Sequence, residues 1–240
     1  MENSAFDRTA LLVGNAAMKR ISSTTVIVFG IGGVGSWVAE CLVRTGIRHI
    51  TLVDSDRVAV TNINRQMPAT AITVGEVKTD AAKGRLLEIN PDADVKTMTL
   101  FYDAETAPQI DLSEYDYIVD AIDSLKDKAL LILNATRTGR KLFSSMGAAL
   151  KMDPSRIKVG EFWSVKGCPL ARALRQRFKK QKTYPAKKFL CVYSEELLEN
   201  KGATSETCEY KACINGSLCH ITAIFGMTIA GEIIKDICHN

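Results

Sequence analysis

The apolar positions of this chain alternate between short β-branched runs and longer stretches in which apolar side chains recur every three or four residues. The runs predict strands at Thr24–Phe29, His49–Val53, near Val95–Leu100, Tyr117–Ile122 and Lys141–Ser145. The recurrent stretches predict helices at Phe6–Gly14, Gly35–Thr45, Val77–Glu88 and Lys126–Thr138. Strand and helix in turn mean a mostly parallel sheet, because a parallel neighbour is reached only by a crossover. The expected fold class is therefore α/β, a Rossmann-like sheet flanked by helices. An apolar stretch from Ser217 to Lys235 predicts a long C-terminal helix. His220, Glu232 and its Thr and Ser positions interrupt the apolar surface, which points to a core or dimer-interface helix rather than a membrane span.

With 240 residues, 46% of them hydrophobic, the chain has enough apolar surface to close one large core, so a single domain over residues 1–240 is expected. Its composition shifts once, at residues 163–193, where basic side chains crowd together with Gly167, Pro169 and Pro185 and suggest a basic insertion. Glu2 and Asp7 precede any apolar run, so no secretory signal is expected and the location expected is cytoplasmic, with no membrane partner.

Candidate chemistry gathers between Val26 and Gln66. The run Val26-Ile-Val-Phe29 leads into Gly30-x-Gly32-Gly33-x-Gly35 and then a helical stretch. Glycine suits this turn because the chain bends sharply, a phosphate must approach the backbone with no Cβ in the way, and the helix N-terminus offers N–H groups to an anion. Such sheets bind NAD, FAD or ATP with the same turn, and Asp54, at the end of the next strand, is placed to accept from ribose hydroxyls in any of these. The following residues favour a triphosphate. Asp54 and Asp56 share a strand face if the strand continues, Asn62 and Arg65 share one face of a turn over Thr61–Gln66, and Lys78 opens the next helical stretch. A hydride-transfer site has no use for an arginine, an amide and carboxylates beside the phosphates, whereas a triphosphate with a divalent ion does. Asp120 and Asp123 end the strand from Tyr117 at the sheet's carboxyl edge, outside which open α/β sheets bind ligands. Each residue also has a structural reading: Asp54 and Asp56 in Asx turns, Arg65 paired with Asp56 or Glu76, Lys78 solvated, Asp123 as an N-cap.

Taken in order and at this spacing, Gly30-x-Gly-Gly-x-Gly35, Asp54-x-Asp56, Asn62-x-x-Arg65-Gln66, Lys78 and Asp120-x-x-Asp123 resemble the ThiF/MoeB fold of ubiquitin-activating-type adenylyltransferases. The opening Phe6-Asp-Arg8-Thr-Ala-Leu-Leu-Val-Gly14 is similar to that family's first helix, whose arginine reaches the partner subunit's ATP site. The resemblance thus implies a homodimer with Arg8 acting across it. Gly147 to Val159, with Asp153-Pro154-Ser-Arg156, and Cys168-Pro169-Leu-Ala-Arg172 resemble one branch, the tRNA threonylcarbamoyladenosine dehydratases, with Cys168-Pro169 standing where Asp-Pro is expected. The resemblance implies ATP and Mg2+ as cofactors, with Gly30, Gly32, Gly33, Gly35, Asp54, Asp56, Asn62, Arg65, Gln66 and Lys78 on the nucleotide. It also implies Arg8, Arg65, Lys78 and Asp123 as catalytic residues, with Asp123 holding the metal. The implied reaction is adenylation of the carboxylate of threonylcarbamoyladenosine in tRNA, followed by ring closure. The implied partners are tRNA and a cysteine desulfurase or sulfur acceptor system. The leading alternative is an adenylyltransferase for the C-terminus of a ubiquitin-like sulfur carrier, and a non-catalytic tRNA-binding scaffold is another.

The basic segment carries Arg172, Arg175, Arg177, Lys179, Lys180, Lys182, Lys187 and Lys188 and no acid between them. Arg172, Arg175 and Lys179 fall on one helical face, which suits a phosphodiester backbone, although a solvated surface helix reads the same way. Tyr184 and Phe178 are candidates either to stack on a base or to fill the core. The seven cysteines, at 41, 168, 191, 208, 213, 219 and 238, form no Cys-x-x-Cys pair, so the paired zinc ligands of many ThiF and MoeB relatives are missing. Cys208, Cys213 and Cys219 with His220 remain a weak metal alternative to free thiols, and Cys168 or Cys191 would be the thioester candidates.

Overall fold

The computed structural model describes residues 4–202 and 215–239. Its strands are β1 (Thr25–Phe29), β2 (His49–Val53), β3 (Asp94–Met98), β4 (Tyr117–Asp120), β5 (Lys141–Ser145), β6 (Ile157–Glu161) and β7 (Leu190–Ser194). They form one sheet in the order β3-β2-β1-β4-β5-β7-β6, parallel throughout except for the last pair. The helices are α1 (Asp7–Ser23), α2 (Gly35–Thr45), α3 (Lys78–Ile89), α4 (Leu125–Arg137), α5 (Pro169–Gln181) and α6 (Cys219–His239). Strand side chains alternate between two cores. Val26 and Val28 pack with Val38, Leu42, Phe225 and Ile229 of α2 and α6, while Ile27 and Phe29 pack with Leu131, Ile132, Leu174 and Phe178 of α4 and α5. A sheet buried on both faces explains why the inner strands read as continuous apolar runs.

The chain leaves β1 for β2 and β3 on one side and returns to place β4 on the other, so the order reverses between β1 and β4. The carboxyl ends of those two strands flank the crevice in which doubly wound sheets bind ligands.

Four elements differ from the sequence expectation. The first helix does not stop at Gly14. That residue breaks it, with φ 81° and ψ 160°, but helix resumes because Ala17 and Ile21 have a core face to fill. β6 and β7 were not expected. β6 is a short edge strand with exposed Lys158 and Val159, and the apolar run of β7 stands beside a lysine-rich stretch that hides it. The basic segment is thereby built into the fold as the crossover from β6 through α5 to β7. The C-terminal helix starts at Cys219 and continues to His239, because Arg20 donates from Nε to the Ile237 carbonyl (3.0 Å) and from Nη2 to the Cys238 carbonyl (3.2 Å), satisfying its last turn. Among the described residues no helix is long and apolar enough to cross a membrane.

Candidate active site

The glycine turn leaves β1 with Gly30 at φ +85°, a conformation that a side chain strains against. A Cβ on Gly35 would lie 1.9 Å from the Gly30 carbonyl, and one on Gly30 would lie 2.7 Å from the Ala121 carbonyl. The turn therefore closes tightly on itself and abuts the loop after β4. Gly33 faces Thr222 of α6 and the stem of Arg65, both within 3.4 Å of where its Cβ would stand, and Gly32 faces the Gln66 amide. Ser36 ties the turn to the next segment, donating to the Gly32 carbonyl (2.6 Å) and accepting from the Met67 N–H (3.2 Å).

Asp54, Asp56 and Lys78 meet at the end of β2. Asp54 accepts from the Ile31 N–H at 2.6 Å and from the Asp56 N–H at 2.9 Å, so one carboxylate holds both the glycine turn and its own loop in place. Lys78, the first residue of α3, is almost wholly buried and reaches Asp56 at 2.8 Å and Asp54 at 3.4 Å. The expectation of a solvated lysine is excluded by this burial. A buried ammonium held by an exposed carboxylate can exchange that partner for a phosphate without a large backbone rearrangement.

Arg65 makes no carboxylate pair among the described residues. Its Nη1 donates to the Thr61 carbonyl and to Asn64 Oδ1, each at 2.8 Å, and Trp37 Nε1 fixes its backbone by donating to the Arg65 carbonyl at 3.1 Å. Among the described residues the guanidinium therefore has neutral acceptors beside the glycine turn. Asn62 has a local task, its Oδ1 accepting from the Ala59 N–H at 3.1 Å, which holds the 3-10 turn Val60–Asn62. Gln66 is 8% exposed, and its Oε1 is a buried acceptor with no hydrogen-bond partner among the described residues. Such an atom beside a phosphate-type turn suits a ligand donor.

Asp120 and Asp123 divide their work. Asp120 is fully buried at the end of β4, 2.8 Å from Lys128 Nζ and accepting from Ser144 Oγ at 2.7 Å. Burial pushes its carboxyl up from the ordinary range, and Lys128, Ser144 and the Ile122 N–H pull it back. Lys128, which also donates to the Ile122 carbonyl at 2.9 Å, was not singled out from the sequence. Its signal was a lysine in the first turn of a helix that follows an acid-ended strand. This buried pair pins the β4–α4 loop from beneath, and Asp123 is the exposed carboxylate of that loop. Among the described residues no three His, Cys, Asp or Glu side chains cluster as metal ligands. One carboxylate beside a polyphosphate nevertheless fits Mg2+, which takes one or two protein oxygens and completes its shell with phosphates and water.

Arg8 lies elsewhere. The Phe6 ring packs against Gly46, which caps the far end of α2 from Gly35, and an 11-residue helix spans about 16 Å. Arg8 is exposed, two residues from that contact, on a half-helix whose Leu11 and Leu12 are each 86% exposed. It is not brought to the glycine turn of its own chain.

On α5, Arg172 and Lys179 are exposed, whereas Arg175 is half-buried, donating to the Phe162 carbonyl at 3.0 Å with its guanidinium over the Phe162 ring. The expected face of three cations is thus two exposed cations and one held by the core. Phe178 is fully buried and is a core residue, while Tyr184 is exposed. Cys168 and Cys191 are both buried, away from any protein or RNA partner that a thioester would need, and burial drives the Cys191 thiol far above the ordinary range. Cys208 and Cys213 lie outside the described residues.

Comparison with known proteins matches residues 6–240 to the ThiF family. The tRNA threonylcarbamoyladenosine dehydratase of Bacillus subtilis is 32% identical over 97% of this chain and 94% of its own length. That of Escherichia coli is 36% identical over 96% of this chain and 92% of its own. A crystal structure of the E. coli enzyme, TcdA, in complex with ATP superposes with a TM-score of 0.85 at 34% identity, covering 97% of this chain and 93% of that one.

Proposed function

The chain belongs to the ThiF family, and on that premise we propose that it is an ATP-dependent enzyme that dehydrates threonylcarbamoyladenosine in tRNA to its cyclic form. The substrate carboxylate attacks the α-phosphorus of ATP and expels pyrophosphate. The ureido group then attacks the resulting acyl adenylate within the same nucleoside, releasing AMP, so the net change is loss of water. Ring closure is intramolecular and calls on positioning rather than a protein nucleophile, in keeping with buried Cys168 and Cys191.

The observation that carries this reading is the meeting, at one sheet edge, of the glycine turn, the buried Lys78 with Asp54 and Asp56, Arg65 on its neutral acceptors and the Asp123 loop. The turn closed by Gly30 and Gly35 offers its backbone to the phosphates at Gly32 and Gly33, Asp54 and Asp56 serve the ribose side, and Asn62 and Gln66 orient the nucleotide. Lys78 and Arg65, with Arg8 from a second copy of the chain, offset the charge that develops on the phosphates. Asp123 would hold Mg2+, which when bound would supply charge neutralisation to the phosphates. Arg172 and Lys179 contact the tRNA backbone, with Arg175 holding α5 in place behind them. We place the enzyme in the cytoplasm as a homodimer.

The test is mass spectrometry of nucleosides from tRNA carrying threonylcarbamoyladenosine, incubated with the protein and ATP. The expected result is an ATP-dependent loss of water from that nucleoside alone. An unmodified nucleoside spectrum, together with adenylation of a sulfur carrier C-terminus, overturns it.

A further inference from the structure

The surface at the end of α5 carries two aromatic side chains that the proposed reaction leaves unused. Trp163, in the 3-10 turn Phe162–Ser164 after β6, is 38% exposed, and Tyr184, just beyond α5, is 53% exposed. Their ring centroids are 6.2 Å apart with planes 44° from one another. Trp163 is fixed to the fold, and Tyr184 stands against it. The Trp163 ring packs edge-on against Phe162 at 5.1 Å, the Trp163 backbone N–H donates to Glu161 Oε2 at 3.0 Å, and Phe162 lies beneath Arg175. Exposed Lys179, Lys180 and Lys182 stand at the same end of the helix. The nearby carboxylate of Glu161 turns inward, one oxygen on the Trp163 N–H and the other buried. The surroundings of the two rings are thus cationic without an outward-facing acid from that turn.

A pair of adjacent exposed rings within a lysine-rich surface is the combination that holds unpaired nucleobases, since phosphates are drawn by the cations and a base gains a π-face to stack on. Resting on the tRNA reading above, we infer that Trp163 and Tyr184 form a stacking platform for an unpaired base of the tRNA substrate. That base is not the one that reacts. Glu161 pairs with Leu190 at the start of β7, so the platform lies at the amino edge of the parallel sheet. Gly167, just before α5, packs against Glu195 at the carboxyl edge, and the 13-residue helix between spans about 20 Å. The platform therefore reads a second, distant part of the RNA.

Equilibrium binding to full-length tRNA, tested with Trp163→Ala, Tyr184→Ala and Tyr184→Phe, separates stacking from charge. Trp163→Ala and Tyr184→Ala are expected to weaken tRNA binding about tenfold to a hundredfold together, with the salt dependence and the ATP affinity unchanged. Tyr184→Phe keeps the ring and is expected to bind as the parent. A fully paired RNA duplex is expected to bind both alanine variants as it binds the parent. The parent's tryptophan fluorescence is expected to be quenched by tRNA, and this quenching lost in Trp163→Phe. Folded alanine variants that bind tRNA within twofold of the parent, or that lose duplex binding equally, overturn the platform and leave the dehydratase reading intact. A parent protein that binds no tRNA overturns both.

Discussion

The Lys78 ammonium lies 2.8 Å from the Asp56 carboxylate, with the lysine side chain 4% exposed and the aspartate 58% exposed. The pair is therefore asymmetric: Asp56 can turn back to water at little cost, while Lys78 has only Asp54 or a ligand to turn to. Asp56→Asn is expected to change folding stability by less than about 1 kcal/mol. Lys78→Met leaves the nearly buried Asp54 without its cation and is expected to cost roughly 2–4 kcal/mol, and to slow ATP–pyrophosphate exchange by about a hundredfold or more. Chemical denaturation and the exchange assay together check both outcomes. Equal stability of the two variants would contradict the asymmetry.

Asp123 stands on a loop pinned from below by Asp120 and Lys128, so its own removal should leave the fold in place. Asp123→Ala is expected to unfold at the parent's midpoint while losing pyrophosphate exchange by orders of magnitude. Activity within threefold of the parent removes it from the site.

Arg8 lies at the opposite end of α2 from the glycine turn of its own chain, which calls for a test in mixed dimers. Arg8→Ala and Asp123→Ala chains, each inactive alone, should regain part of the activity when combined, because one of the two sites in a heterodimer then lacks both defects. Verified heterodimers without activity would exclude action in trans.

For the basic helix, Arg172→Glu with Lys179→Glu is expected to reduce the slope of log binding constant against log salt by about one for each phosphate no longer neutralised, with ATP affinity unchanged. Arg175→Ala is expected to act differently, lowering the unfolding midpoint through loss of its bond to the Phe162 carbonyl. An unaltered salt slope in the double reversal returns α5 to a solvated surface helix.

Glu196 accepts from the Met152 and Asp153 N–H groups, at 2.7 and 2.9 Å, and these bonds hold its carboxyl below the ordinary glutamate range. A depressed carboxylate contributes stability that is fully present above its unfolded value, about pH 4.3, and is lost as pH falls through the folded value. Glu196→Gln should accordingly flatten the acid side of the stability profile in that window. An acid limb identical to the parent's would show that Glu196 binds its proton alike in the folded and unfolded chain and would overturn this reading.

Most of the parallel sheet could be read from the chain because β1, β2 and β4 are buried on both faces and so are written as mainly apolar, β-branched runs, with β5 carrying Leu142 and Phe143. The edge strand β6 and its neighbour β7 are not legible in the same way, because an exposed edge admits Lys158 and the preceding lysines mask Leu190–Ser194. Glycine spacing and strand-end acids pointed to Gly30, Asp54 and Asp123, since a turn and a strand terminus are local facts. Arg175 departs from expectation for the opposite reason: helical periodicity places a side chain on a face but is silent about the Phe162 carbonyl that awaits it from another element. Lys128 likewise depends on Ser144 and Asp120 arriving from two different strands.

Gly14 cuts α1 into one half packed on α6 and another whose Leu11 and Leu12 face solvent. On the proposal that the outer half lends Arg8 to a neighbouring copy, no chain would be a complete catalyst alone, and the rate per molecule would become a function of how many molecules there are. Dilution below the dissociation constant of the pair would then silence the enzyme without unfolding it. Nucleotide, by bridging arm and turn, would draw the copies together through mass action, so that abundance of ATP and abundance of the protein would reinforce each other in setting output.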